Sequence, residues 1–168
     1  MERRFGFFLW AFFLTCTFIS VGFMPVPVLC ASDSSGAVFS RTALGAGESF
    51  SLRYIHSVAR RPVVELFTAE RGGSLFLRET VFDSFGAGLP FEPLGGERFM
   101  VEKGRFRILG MRRSFREVSV RVGREAEHAL AVRKRTAALR EWERPGNPVL
   151  LRVEEVPVLS IALQEVLE

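Results

Sequence analysis

From residue 50 onward, apolar and polar positions alternate. Phe50, Leu52, Tyr54 and Val58 share one phase with His56, while Ser49, Ser51, Arg53 and Ser57 hold the other; Ile55 alone breaks the order. A period of two marks a strand with one buried face. Val63, Glu65 and Phe67 alternate with Val64, Leu66 and Thr68, and Leu75, Leu77, Glu79 and Val81 interleave with Phe76, Arg78, Thr80 and Phe82. Arg71-Gly72-Gly73 between these two runs is a hairpin signal, since glycine enters left-handed backbone conformations without steric cost. Shorter runs follow at 99–101, 106–109, 118–122, 128–132 and 149–156, the last set off by Pro145-Gly146-Asn147-Pro148. The stretch 125–143 mixes good helix formers with a hairpin context, and it reads as mostly strand with a short helix near 137–142. Together these runs predict an all-β domain over residues 37–157, an antiparallel β-sandwich or a partly closed β-barrel. Residues 158–168 read as a C-terminal tail.

The N-terminal pattern is different. Met1-Glu2-Arg3-Arg4 is followed by an uncharged apolar run over residues 5–24, which Pro25 and Pro27 end. A basic start, an apolar centre and a small-residue exit at Ala31 form the order of a signal peptide. As a helix, a run of about 20 residues is also long enough to cross a bilayer. Residues 1–31 are therefore expected to be an apolar helix serving as a signal peptide or a membrane anchor. In both cases Arg3 and Arg4 stay on the cytoplasmic side, and the domain is placed in the periplasm or an equivalent extracytoplasmic space.

Composition narrows the chemistry. The net charge of +4 comes from Arg residues dispersed among Glu, not from a basic face interleaved with aromatics, so nucleic acid is not an expected partner. Both cysteines, Cys16 and Cys30, precede Ser32, leaving the expected domain without a disulfide, a thiolate metal site or a thiol nucleophile. Ser57 and Ser84 lack the strand–turn–helix context of a nucleophilic serine. No metal-ligand spacing and no phosphate loop is present, so no catalytic residue, metal or cofactor is assigned and a non-enzymatic role is expected.

The candidate site comes from strand phase. If residues 59–62 form a four-residue loop, Val58 faces Val63, His56 faces Glu65 and Tyr54 faces Phe67. Directly opposed residues have Cβ atoms ~4.5–5.5 Å apart, which suits an inward His–Glu hydrogen bond. A three-residue loop at 71–73 would set Glu79 opposite Glu65, a costly pair of carboxylates; a two-residue turn at Gly72-Gly73 would move Glu79 to the other face. The cluster reads either as a structural pair that fixes register or as a pocket for a small ligand or cation, with His56, Glu65, Glu79 and His128 as contacts. Ser84-Phe85-Gly86-Ala87-Gly88-Leu89-Pro90 reads as a tight bend or as a loop that meets a partner. The full set of candidate contacts is Tyr54, His56, Ser57, Glu65, Glu79, Gly86, Gly88 and His128.

Tyr54-Ile-His56-Ser57-Val58, Pro62-Val-Val-Glu65, Glu79-Thr80, Ser84-Phe-Gly-Ala-Gly-Leu-Pro90 and Val122-Gly123 followed by His128-Ala-Leu130 occur in an order that resembles a family of small exported domains of unknown function. The resemblance covers roughly residues 37–156. Members of that family are typically encoded beside TRAP-type transporters of the TAXI subclass. The resemblance implies an accessory protein that contacts the transporter permease or its solute receptor, close to the cytoplasmic membrane. It carries over no catalytic or binding residue.

Overall fold

A computed structural model of the chain describes residues 22–45, 47–70, 72–84 and 93–161. Among these residues eleven strands form: β1 (Pro25–Ser32), β2 (Val38–Ala43), β3 (Ser49–Ile55), β4 (Pro62–Glu70), β5 (Ser74–Phe82), β6 (Arg98–Glu102), β7 (Arg105–Phe115), β8 (Glu117–Arg121), β9 (Ala129–Val132), β10 (Arg135–Ala138) and β11 (Pro148–Pro157). The eight alternating runs fall on β3 to β9 and on β11. The mixed stretch becomes β9, β10 and a single 3-10 turn at Leu139–Glu141.

Two antiparallel sheets result. One has the order β2-β1-β11-β8 and the other the order β10-β9-β3-β4-β5-β7-β6. Their inward residues meet in one hydrophobic cluster: Leu29, Val149 and Leu151 from the smaller sheet, and Phe50, Phe67, Leu75, Phe82, Ile108 and Met111 from the larger. Phe50 and Phe67, directly opposed in register, stack with ring centroids 5.4 Å apart. The arrangement is a β-sandwich, as the alternation demands: each sheet hides one face by covering it with the other's.

Residues 27–154 make one compact unit, and the described residues 22–26 and 155–161 fall in a second. Within that second unit the Val158 N–H donates to the Met24 carbonyl at 3.1 Å. Residues 158–161 are helical. The apolar run itself lies outside the described residues up to residue 21; among the described residues, no helix is long and apolar enough to cross a membrane.

The placement of β1 changes the expected domain boundary. Val28, Leu29, Cys30 and Ala31, assigned from sequence to the signal peptide or anchor, are buried in the sheet between β2 and β11. Consecutive buried positions hide the period of two, so an internal strand reads as a continuation of the apolar run before it. The sandwich therefore begins before residue 31, not at residue 37.

The hairpin joining β4 to β5 has the three-residue loop, with Glu70 paired to Ser74. Gly73 holds a φ of +75°, and a side chain there would meet the Val153 carbonyl oxygen at 3.0 Å, so this position needs glycine twice over. Beyond the turn, Phe67 faces Leu77 but Leu66 faces Glu79, leaving Arg78 as an extra residue in a β-bulge. Arg78 fills that position by donating from Nε to the Thr68 hydroxyl at 2.8 Å, by pairing with Glu70, and by lying over the Phe76 ring.

Candidate functional site

His56 does not face Glu65. β3 ends at Ile55, and residues 56–61 form a longer turn in which the His56 N–H donates to the Arg61 carbonyl at 2.9 Å and the Arg60 N–H to the His56 carbonyl at 2.8 Å. The ring completes it: His56 Nδ1 accepts the Val58 N–H at 3.3 Å and the Ala59 N–H at 3.1 Å. These bonds take six residues out of the hairpin ladder. Tyr54 consequently faces Val63, and Leu52 faces Glu65. The register differs from the expected one by four residues on β4. Because the shift is even, Glu65 keeps its inward face, but His56 lies past the end of the strand and Val58 is exposed.

The inward polar group is instead Tyr54, Glu65 and His128. Tyr54 and Glu65 are diagonal neighbours across β3 and β4, a separation an aromatic side chain can span, and the Tyr54 hydroxyl donates to Glu65 Oε1 at 3.3 Å. On the other side, the Tyr54 and His128 rings lie 5.6 Å apart. His128 Nδ1 accepts the Gly123 N–H at 3.4 Å, and its carbonyl accepts the Leu139 N–H at 2.9 Å. Burial lowers the His128 pKa and so favours the neutral ring. Burial, then the nearby Glu65 charge and the hydrogen bond to it, pushes the Tyr54 phenol above the tyrosine range, keeping it a donor.

Burial likewise raises the Glu65 pKa above 4.5, against the opposing effects of the Tyr54 bond and the positive charge of Arg113. A raised carboxyl pKa means that the folded chain holds this proton to higher pH than the unfolded chain. The associated stability is complete below the unfolded value and is lost as pH climbs through the folded one. Glu65→Gln keeps an acceptor for Tyr54 without a charge. This variant is expected to melt a few degrees above the parent at neutral pH, with the gap closing as the pH falls to 4.5. Thermal melts of both proteins across that range check it; a gap independent of pH would contradict the assignment.

Glu79 is not part of this group. The bulge at Arg78 turns it to the outer face, where Glu79 Oε1 accepts the Arg107 Nε–H at 2.7 Å. Arg107 also reaches Glu102 at 2.8 Å, and the Glu79 bond, then the Glu102 bond, holds its guanidinium above the usual arginine range. Glu65 instead faces Thr80, whose hydroxyl contacts the Met111 sulfur at 3.5 Å. Gly86 and Gly88 lie outside the described residues. No buried side-chain polar atom among the described residues lacks a hydrogen-bond partner, and no group of three metal-ligating side chains occurs there.

The structure also shows groups that strand phase missed. Arg113 faces the inward Leu77 and clamps Glu97 with Nε and one terminal nitrogen, both at 3.3 Å; the Glu97 side chain is only 6% exposed. Its single sequence cue was an Arg at an inward phase of β7. His56 and Ser57, detached from the inner face, line a surface cleft of about 290 Å³ together with Arg60 and Arg124. Their cue was the Arg60-Arg61 run and the Gly123-Arg124 turn.

The chain matches the family described as Domain of unknown function (DUF1850) over residues 50–139, and it belongs to that family. The matched span runs from β3 to the 3-10 turn and contains Tyr54, Glu65, His128 and both sides of the cleft. No curated protein and no solved structure matches the chain.

Proposed function

We propose that this member of the DUF1850 family is a non-enzymatic accessory protein of a TRAP-type transporter of the TAXI subclass. It acts on the outer side of the cytoplasmic membrane by contact with the permease or the solute receptor. The observation that carries the reading is the junction at residues 24–28, where the apolar export segment passes without a spacer into β1, a buried strand of the sandwich. A domain whose core strand continues from such a segment is held near the bilayer when the segment is retained, and that is where a permease is reached. The ordered motifs from Tyr54 to Leu130 support the transporter association by resemblance. The inner polar group supports contact over chemistry: Tyr54, Glu65 and His128 are spent on one another and on the backbone.

Tagged full-length chain is expected to co-purify with the permease after mild crosslinking of membranes. Deleting the chain is expected to lower solute uptake several-fold, with recovery when the full-length chain is resupplied. Normal uptake together with no association would contradict the proposal.

A further inference from the structure

The cleft beside β3 lies apart from the inner polar group, and its chemistry differs. One wall is the turn at 56–61 and the other is the loop at 123–126; the Ile55 N–H donates to the Ala126 carbonyl at 2.7 Å and ties them together. Each wall contributes one arginine, Arg60 and Arg124, to a space of about 290 Å³. This is near the lower end of small-molecule sites, which run from roughly 300 Å³.

The turn that carries Arg60 is fixed before any ligand arrives. His56 accepts two backbone N–H groups through Nδ1, so its remaining ring proton sits on Nε2, and the Arg60 N–H is bonded to the His56 carbonyl at 2.8 Å. Preorganisation of this kind lowers the cost of binding. On the opposite wall, glycine is required at 123, because a Cβ there would lie 2.8 Å from the Ala126 Cβ. Both walls are therefore built, and with Arg60 and Arg124 against the single Glu125 they present a net positive charge.

Among the described residues neither arginine is tightly held. Arg60 meets Glu125 only at 3.6 Å, with the two side chains 78% and 82% exposed, a pair worth little in water. Arg124 makes no ion pair among the described residues. Guanidinium groups recognise planar carboxylates bidentately. Ile55 and Ala126 supply apolar lining for a short carbon chain, and Glu125 at the rim disfavours a second negative charge.

We infer that this cleft binds a small organic anion carrying a single carboxylate, held between Arg60 and Arg124. Calorimetry and NMR titration of the full-length chain with isobutyrate, succinate and inorganic phosphate at low salt test it. Isobutyrate is expected to bind with Kd of about 1 mM or tighter, and ahead of the other two anions. Arg124→Gln, at an exposed position, is expected to weaken it about tenfold, the scale of one charge-assisted hydrogen bond. Glu125→Gln is expected to tighten it, a gain that a misfolded variant would not give. The inference is overturned by absent isobutyrate binding, by unchanged affinity in Arg124→Gln, by unchanged or weaker affinity in Glu125→Gln, or by succinate or phosphate binding as tightly. Loss of this binding would leave the transporter association untouched, since that is read by co-purification.

Discussion

A chain that begins at Ser32, with residues 1–31 removed, is expected to lose cooperative folding, while one that begins at Gly22 unfolds in a single sharp transition. The difference between the two is β1. It lies between β2 and β11 and pairs with β2 from Val28 opposite Ala43 to Ser32 opposite Val38. Val28, Leu29, Cys30 and Ala31 are each no more than 4% exposed. A fully buried Val or Leu side chain contributes roughly 1.5–3 kcal/mol, and removing the strand also strips hydrogen bonds from both neighbours. Against a total of about 5–15 kcal/mol for a domain of this kind, the loss is close to complete. Urea titration followed by circular dichroism measures it. Matching, steep transitions in the two chains would show that β1 is dispensable.

The next largest effect is expected at Arg113. Arg113→Met removes the cation that faces Glu97, whose carboxylate would stay buried with, among the described residues, the Leu94 N–H at 2.9 Å as its remaining donor. It also removes the positive charge that offsets the burial of Glu65. Breaking a fully buried pair from one side costs ~3–5 kcal/mol. Because the Arg113 side chain is 36% exposed, solvent screens part of this, and a loss of about 2 kcal/mol is expected. Adding Glu97→Gln to the same protein should recover part of the loss, since the orphaned charge disappears, and the double-mutant cycle then isolates the coupling. An Arg113→Met protein within about 0.5 kcal/mol of the parent, the range of ordinary surface changes, would mean that the clamp contributes nothing.

The way these residues come together explains what could be read in advance. Every run with clear alternation became a strand, because a half-buried sheet leaves a two-residue period that survives in sequence. Tyr54 and Glu65 were both in the inward phase and both face inward, since an even register shift preserves faces. Their partner was misassigned, because the length of the turn is set by hydrogen bonds from the backbone to His56 Nδ1, which no alternation encodes. Glu79 leaves the inner face for a similar reason: the three-residue glycine turn alone would set it opposite Glu65, but the bulge at Arg78 reverses that consequence. β1 was hidden because burial on consecutive positions erases the period, and β2, with its Ser40-Arg41-Thr42 centre, showed no alternation to read.

Retention of β1 together with the apolar run at residues 5–24 is the point on which the proposed role turns. The intact mass of the chain recovered from membranes of expressing cells is expected to include residues 5–31, the apolar run and the seven residues of β1 before Ser32. A folded chain that starts at Pro25 or later and still co-purifies with the permease would contradict it.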